Sequence, residues 1–329
     1  MQLNGWVELD GKKLTKEELS DFIRQDPAVV TRLGGEFYLE YDSCKARDHY
    51  GIIQGDCPAG VILCDNRETG TVSPACGSLS LADAIKTSVD LRSDSGITAL
   101  SGGVDSALVA VLAKRPCLVV GMEGCHDIRQ AQAVAKYTNL PLHIRTITVP
   151  EIEDAISVVA KNLEEPNPVD LAIGTTLYFV AQTAHDLGYE RILTGQGADE
   201  VFGGYARYLE TAPDKLEELF LKDFASLKHQ GRRDQGVAGL MGTYLSMPYL
   251  DIRVVCAAHT IPASDRVRDG VRKKPLRDVA LLYLPESFAN YEKKAMQYGT
   301  GIWKEIKRIA RQNGYHSSVS DFLIHLRRT

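Results

Sequence analysis

The stretch GITALSGGVDS, residues 96–106, determines the expected fold. Its first five residues form a short apolar strand, and a glycine-rich turn then leads to a helix that we expect over residues 107–113. In an open parallel sheet, ligands bind beyond the carboxyl ends of the strands, where helix N-termini present N–H groups to anions. The turn therefore predicts an anion-binding site between a strand and a helix.

Strand and helix patterns alternate on both sides of this stretch. We expect further strands at residues 117–121, 143–148 and 191–194, and helices at residues 80–91, 127–136, 151–161 and 175–187. Such alternation predicts an α/β fold with a doubly wound parallel sheet. Beyond Lys215 the pattern is mainly helical.

The first 77 residues show a different pattern of apolar and turn-forming residues. Short apolar runs at residues 36–42, 51–53 and 60–64 are broken by Gly, Asp and Pro, which favours short antiparallel strands. One helix is expected at residues 15–24, with Thr15 as its N-cap and Glu18 completing a capping box. We therefore expect two domains, a small β-rich region at residues 1–77 and an α/β domain at residues 78–329.

Composition limits the classes of protein. The 329 residues are 44% hydrophobic and 25% charged, as in ordinary globular chains. We find no apolar window of membrane-spanning length and no signal peptide, so a soluble cytoplasmic protein is expected. The net charge of −5 argues against nucleic-acid binding, and the basic stretch at residues 266–277 reads as a solvated face. The 7 cysteines include no C-x-x-C pair, and we expect buried free thiols.

The side chains of the turn specify its chemistry. Gly102 and Gly103 allow the backbone to approach an oxyanion closely, and Ser101 and Ser106 add hydroxyl donors. Asp105 by itself would repel a phosphate, which predicts a bridging cation, most plausibly Mg²⁺. The turn is neither a Walker A loop, whose Lys is missing, nor a G-x-G-x-x-G loop.

The pattern S-G-G-x-D-S at residues 101–106 resembles the pyrophosphate-binding loop of the N-type ATP pyrophosphatases. These enzymes have the adenine nucleotide α-hydrolase-like fold and cleave ATP to AMP and pyrophosphate while adenylating a substrate. The resemblance implies ATP as a substrate and assigns these residues to its site: Leu100, Ser101, Gly102, Gly103, Val104, Asp105 and Ser106.

A second motif, LTGQGADEVFGGY at residues 193–205, resembles the synthetase domain of asparagine synthetases. The resemblance implies that Asp199 is a second Mg²⁺ ligand beside Asp105. It also implies that Thr194 and Gly195 contact the nucleotide.

Three shorter matches support this family. Residues 119–124 resemble the family's strand that borders adenine, which implies that Val120 contacts the base. Residues 248–251, PYLD, resemble the family's P-[FY]-L-D. Lys293 precedes two glycines at K-x5-G-x-G spacing, as the family's catalytic lysine does, and a cation there would stabilise developing negative charge. Lys294 is the competing assignment, and Lys273, in a K-x-x-L-R pattern, is the third.

The chain also departs from the family. Residues 33–42 resemble part of the family's glutamine amidotransferase domain, but the nucleophilic cysteine expected at position 2 is Gln2, and the segment is too short for that domain. We therefore expect no glutamine hydrolysis by this chain. Gln196 stands where asparagine synthetases carry a glutamate that can accept a proton. Glu164 and Glu165 are candidate substitutes, so Lys293, Gln196 and Glu165 form the expected catalytic set.

The resemblance implies an ATP-dependent amide-forming ligase. A carboxylate, aspartate or a related acceptor, would be adenylated with release of pyrophosphate, and ammonia or an amine would then displace AMP. An RNA-modifying enzyme that uses the same loop and a non-catalytic nucleotide-binding descendant are the alternatives. The expected partners are small molecules, with no membrane and no nucleic acid. A separate glutaminase subunit and a homodimer are left open.

Overall fold

The computed structural model describes residues 1–165, 167–292, 296–316 and 318–328. The chain forms two compact units that do not follow chain order. The first unit comprises Met1–Asp94, Gly195–Arg232 and Ser246–Val279, and the second comprises Ser95–Thr194, Arg233–Leu245 and Ala280–Thr329. The sequence predicts a boundary between two domains at residue 77. This boundary does not coincide with a limit of either compact unit, and it stays a prediction.

The strands and helices have the following bounds. The strands are β1 (Gln2–Leu9), β2 (Lys12–Lys13), β3 (Gly34–Tyr41), β4 (Cys44–Arg47), β5 (Val61–Cys64), β6 (Arg67–Thr71), β7 (Ile97–Ala99), β8 (Cys117–Met122), β9 (Leu142–Ile147), β10 (Arg191–Leu193) and β11 (Tyr244–Ser246). The helices are α1 (Lys16–Gln25), α2 (Leu81–Arg92), α3 (Val104–Ala113), α4 (His126–Thr138), α5 (Val149–Asn162), α6 (Pro168–Asp186), α7 (Ala198–Phe202), α8 (Arg207–Glu210), α9 (Leu216–Gly239), α10 (Ile252–His259), α11 (Ala263–Arg266), α12 (Lys274–Ala280), α13 (Glu286–Ala289), α14 (Met296–Gly299), α15 (Ile302–Gln312) and α16 (Val319–Leu326).

The first unit contains an antiparallel sheet with strand order β2-β1-β3-β4-β5-β6. This confirms the small antiparallel region expected near the N-terminus. Helix α1 packs Leu19 and Ile23 into the core of this sheet, and Thr15 and Glu18 form the expected capping box. The boundaries of α1 match the sequence pattern because the cap is a local feature.

Residues 51–53 do not form the expected strand. The backbone N–H groups of Ile52 and Ile53 donate to the buried carboxylate of Asp48 at 2.8 Å and 3.0 Å. A side chain thus replaces the neighbouring strand that these donors would otherwise need. The apolar run is a buried loop.

The second unit contains a five-stranded sheet with strand order β11-β10-β7-β8-β9. Strands β10, β7, β8 and β9 are mutually parallel where they pair, which confirms the α/β fold with a parallel sheet. The edge strand β11 was not expected, because its three residues are too few to show a period. Helix α3 begins at Val104, three residues before its expected start.

Small side chains bring α3 and α4 close to the parallel sheet. The buried cluster includes alanines from both helices together with Cys117 and Val119 of β8. Side chains of this size let a helix lie directly on the strands. This close packing fixes the position of the first residue of α3 relative to the end of β7.

The expectation that the cysteines are free thiols is wrong for four of them. Cys44 and Cys64, which are paired positions on β4 and β5, form a disulfide, and Cys76 forms a second disulfide with Cys256 of α10. The partners are 20 and 180 residues apart in sequence, so counting and spacing did not reveal them. Disulfides are rare in the cytosol, and the cytoplasmic location stays a prediction.

Among the described helices, none is long and apolar enough to cross a membrane.

Candidate active site

The glycine-rich loop follows β7 at the carboxyl edge of the parallel sheet. Gly102 has a φ of +77°, and a Cβ added there would lie 2.4 Å from the Cβ of Gln130 on α4. A side chain at this position would therefore clash with the helix as well as strain the backbone. Glycine is required here so that the loop can turn beneath α4.

The two serines of the loop hold its shape. The backbone N–H of Ser101 donates to Ser106 Oγ at 3.2 Å, and the two hydroxyls are 3.0 Å apart. Ser106 Oγ donates in turn to the carbonyl of Gly103 at 3.2 Å. The serines, which the sequence predicts as phosphate donors, thus also close the loop on itself.

The start of α3 is suited to an anion. Gly103 is the N-cap, and no side chain makes a capping hydrogen bond there. The first turn of a helix carries N–H groups without intrahelical partners and the positive end of the helix dipole. Asp105, in the same turn, is 8% exposed, so a carboxylate lies beside the predicted phosphate position.

Three neighbouring strands bring predicted nucleotide residues to this edge. Leu193 of β10 is level with Thr98 of β7, so the buried Thr194 lies at the same edge as the loop. Val120 is buried in β8, which pairs with β7 on the other side. The structure thus groups the loop, Val120 and Thr194 at one end of the sheet.

The K-x5-G-x-G pattern ends against β8 and α4. A Cβ on Gly299 would lie 2.0 Å from Oδ1 of the buried Asp127, and the N–H of Met122 donates to the carbonyl of Thr300 at 2.9 Å. The first glycine is therefore needed for close packing on a carboxylate. Lys293 and Lys294 lie outside the described residues.

One contact before that pattern also involves α4. The hydroxyl of Tyr291 is hydrogen-bonded to Nε2 of His126, whose Nδ1 is 3.2 Å from Oδ1 of Asp127. The described residues on both sides of the predicted catalytic lysines therefore contact the start of α4. Sequence reasoning identified neither His126 nor Tyr291.

Residues 195–205 of the second motif lie in the first unit and include the short helix α7. Gly197 and Gly203 flank the helix with φ values of +83° and +81°. The N–H groups of Gly203 and Gly204 donate to the carbonyl of Asp199 at 3.0 Å and 2.9 Å. The glycines thus end the helix after Phe202, three residues beyond the predicted metal ligand.

Lys273 contacts the carboxylate of Asp199. Its Nζ lies 2.7 Å from Asp199 Oδ1, with the lysine side chain 9% exposed and the aspartate side chain 45% exposed. A Cβ on Gly204 would lie 1.6 Å from Asp199 Oδ1, so the glycine leaves the space that the carboxylate occupies. Lys273, the third choice for the catalytic lysine, is in this structure a counter-ion.

Glu200 was not identified from the sequence. It is 3% exposed and accepts hydrogen bonds from the Tyr205 hydroxyl and, at 2.8 Å, from Gln230 Nε2. Burial raises the pKa of this carboxyl. Glu200 therefore links Tyr205, at the end of the motif, to Gln230 of α9. The signal that could have revealed it is the Asp-Glu pair followed by Gly-Gly-Tyr.

The remaining predicted residues lie in separate places. Gln196 is partly buried between Gly195 and Gly197 in the first unit. Glu165 is exposed in the turn between α5 and α6 of the second unit, where its carbonyl accepts the N–H of Asn167 at 2.9 Å. The catalytic roles of Gln196 and Glu165 stay predictions.

A metal ion must be considered from the donor chemistry. The described part of the chain contains no group of three or more His, Cys, Asp or Glu side chains suited to a metal. Mg²⁺ does not require one, since it usually binds one or two carboxylates, waters and substrate phosphates. Both predicted ligands, Asp105 and Asp199, are carboxylates, which is the donor type that Mg²⁺ takes, so the residues present fit such an ion.

The PYLD segment is held by the N-terminal sheet within the first unit. Glu36 of β3 accepts hydrogen bonds from the N–H of Met247 at 2.8 Å and from Ser246 Oγ at 2.6 Å. Arg92 of α2 joins Glu36 at 2.8 Å and Asp251 at 3.0 Å. The β-rich region therefore supports a motif that sequence comparison alone assigns to the other domain.

These features define an α/β protein that has a glycine-rich loop at the carboxyl edge of a parallel sheet. Comparison with known families is more specific. The chain matches the asparagine synthase family over residues 80–243 and 240–324, and it belongs to that family. The resemblance inferred from the two glycine-rich motifs is confirmed.

The relatives include asparagine synthetases of archaea and bacteria. A protein of Methanocaldococcus jannaschii that is described as a glutamine-hydrolyzing asparagine synthetase is 35% identical over 69% of this chain and 50% of its own length. The glutamine-hydrolyzing asparagine synthetase B of Escherichia coli is 28% identical over 71% of this chain and 46% of its own length. The chain thus spans about half the length of the curated relatives it matches.

Among solved structures, the NH3-dependent NAD synthetase of Campylobacter jejuni matches with a TM-score of 0.36 and 16% identity. The match covers 76% of this chain and 94% of that chain. At this TM-score the likeness carries no inference about the present chain.

Proposed function

We propose that this chain is an ATP-dependent amide-forming ligase that adenylates a small carboxylate and then transfers nitrogen to it. The observation that carries the proposal is the S-G-G-x-D-S loop at the carboxyl edge of the parallel sheet, in a chain of the asparagine synthase family. In the first step the acceptor carboxylate attacks the α-phosphate of ATP, and pyrophosphate leaves. In the second step ammonia or an amine attacks the acyl carbon, and AMP leaves.

The loop residues would hold the nucleotide phosphates. In the proposal the N–H groups at the start of α3 bind the pyrophosphate portion, and Val120 and Thr194 border the nucleoside. Gly195 joins this set through its position in the second motif. The grouping of the loop, Val120 and Thr194 at one sheet edge supports this assignment within the second unit.

Asp105 and Asp199 are the proposed Mg²⁺ ligands. When bound, the ion would neutralise phosphate charge and favour the departure of pyrophosphate. One feature of the chain supports the assignment: Asp105 is buried in the first turn after the loop, beside the N–H groups that are proposed to bind phosphate. The joint role of the two carboxylates rests on the motif resemblance.

Ammonia or an amine is the proposed nitrogen donor, and Lys293, Gln196 and Glu165 are the proposed catalytic residues. Glutamine hydrolysis of the family's type needs a reactive cysteine thiolate. Among the cysteines, four form disulfides, and burial raises the pKa values of the remaining thiols Cys57, Cys117 and Cys125. A raised pKa disfavours the reactive thiolate, which supports a donor other than glutamine. A separate glutaminase and a homodimer stay predictions.

The proposal is tested by screening carboxylates and amines for pyrophosphate release, with mass spectrometry of the product. Aspartate with ammonia is the first pair. Asp105→Asn and Asp199→Asn should each abolish release while the chain stays folded. Asp278→Asn, which alters an exposed carboxylate on α12, is the matched control and should leave the rate unchanged.

Release of glutamate from glutamine by the purified chain would contradict the proposed nitrogen source. Normal turnover of Asp199→Asn would contradict the metal assignment. If no carboxylate supports pyrophosphate release, the ligase proposal fails, and tRNA binding that weakens with salt would then indicate an RNA-modifying enzyme.

A further inference from the structure

The ion pair between Lys273 and Asp199 joins two segments of the first unit, the turn before α12 and the short helix α7. Lys273 has a φ of +56°, a conformation that an L-residue adopts at a cost. Hydrogen bonds secure this region: Arg272 Nη1 donates to the carbonyl of Gly204 at 2.9 Å, the N–H of Arg277 donates to the carbonyl of Lys273 at 2.9 Å, and Arg277 Nε donates to the carbonyl of Arg272 at 2.8 Å. The backbone that carries the lysine is therefore attached to the Gly-Gly turn that accommodates Asp199.

The neighbouring Lys274 shows that this pairing is specific. Lys274 pairs with Asp278 one turn along α12, and its side chain is 30% exposed. The Lys273 side chain, by contrast, is 9% exposed and reaches Asp199 on a different element. A long cationic side chain loses conformational freedom when it is buried, so a fixed partner is needed to offset that loss.

We propose that Lys273 is the resident cation of Asp199 and that it weakens divalent-metal binding to the nucleotide-free chain. The inference deepens the proposed function, because it rests on Asp199 as a metal ligand. An ammonium 2.7 Å from Oδ1 occupies the position from which a divalent cation would approach that oxygen. The incoming ion must therefore displace Lys273 and separate an existing ion pair.

The physical consequence is a lower affinity for a free metal ion. The Lys273 charge repels the metal cation. It also stabilises the Asp199 carboxylate to which the metal would bind. Removing the charge should expose Asp199 to the metal. We expect Lys273→Met to bind Mn²⁺ at least about tenfold more tightly than the unmodified chain.

The test uses the full chain without ATP, titrated with Mn²⁺ and followed by the electron paramagnetic resonance signal of the free ion. The variants are Lys273→Met, Asp199→Asn and the double variant, and Lys274→Met is the matched control. Tighter binding by Lys273→Met that is lost in the double variant supports the proposal, as does an unchanged affinity in Lys274→Met. Lys273→Gln replaces Lys273→Met if circular dichroism shows that the latter is unfolded.

Unchanged or weaker Mn²⁺ binding by a folded, neutral variant at position 273 overturns the proposal, and so does tighter binding that persists in the double variant. The measurement involves no turnover, so it is independent of the ligase assay. Loss of pyrophosphate release together with tighter Mn²⁺ binding would leave this inference standing while the proposed function failed. Normal pyrophosphate release with unchanged Mn²⁺ binding would overturn this inference alone.

Discussion

The carboxylate of Glu36 and the guanidinium of Arg92 form an ion pair of 2.8 Å in which both side chains are buried. Trp6 Nε1 also donates to Glu36 at 3.0 Å, and the Arg92 guanidinium lies 5.0 Å from the centre of the Trp6 ring. Burial opposes ionisation of Glu36, but Arg92 and the donors from Ser246 and Met247 outweigh it, so its pKa lies below the ordinary value. Glu36 is therefore stabilised in its ionised form by the groups that surround it.

Glu36→Ala should lower the free energy of unfolding by about 3–5 kcal/mol, because it leaves Arg92 buried without this partner. Urea unfolding measures the change. Asp90→Ala is the control, since it breaks the exposed pair between Lys86 and Asp90 on the same helix as Arg92 and should cost less than about 1 kcal/mol. Similar losses in the two variants would contradict the role given to Glu36.

Asp48 should titrate far above an ordinary aspartate. Burial raises its pKa from 3.8 to about 6, although Phe37, Ile52 and Ile53 donate backbone hydrogen bonds that favour the charged form. The folded chain therefore holds this proton more tightly than the unfolded chain. The contribution of Asp48 to stability falls as the pH rises from about 4 to about 6, by on the order of 3 kcal/mol.

Carbon-13 NMR of the Asp48 carboxyl, assigned with Asp48→Asn, measures this pKa directly. The same variant should unfold with a weaker dependence on pH across the interval from 4 to 6. A carboxyl resonance that titrates near 4 would show that the backbone donors outweigh burial.

The cysteines provide a count that tests the fold. Without reduction, the denatured chain should react with three equivalents of iodoacetamide, at Cys57, Cys117 and Cys125, and after reduction with seven. Cys256→Ser should raise the unreduced count to four, because it frees Cys76. Mass spectrometry reads each count, and seven reactive thiols before reduction would exclude both disulfides.

Lys293→Ala should lower kcat about 10²–10³-fold with little change in ATP affinity, because the lysine is proposed to act mainly on the transition state. Steady-state pyrophosphate release and calorimetric ATP binding separate the two effects. Lys294→Ala is the matched control and should retain its rate. If the losses are reversed, the catalytic lysine is Lys294.

Gln196→Glu restores the residue that asparagine synthetases carry at this position. A carboxylate can accept a proton from the attacking ammonium, so we expect ammonia-dependent amidation of aspartate to become faster, by up to about 10²-fold. Product formation followed by mass spectrometry measures the change. A slower reaction would indicate an acceptor that needs the neutral amide, and an unchanged rate would place Gln196 outside the acceptor pocket.

The sequence predicted the features that depend on neighbouring residues. The Thr15 cap, the alternation of strands and helices and the two glycine-rich motifs are local patterns. The cap and the alternation appear in the structure, although α3 and α6 begin earlier than expected. Their physical basis is short in range, because a cap, a positive φ or a buried strand is specified within a few residues. The family follows from the motifs for the same reason.

The interactions between residues that are far apart in the sequence were decided by the tertiary structure. The Cys76–Cys256 disulfide, the pairing of Lys273 with Asp199 and the burial of Glu36 against Arg92 join segments that are far apart in the chain. Residues 51–53 became a loop because Asp48 supplies acceptors that no local pattern reveals. Whether a charged side chain is solvated or buried depends on what packs over it, and only the folded chain brings those groups together.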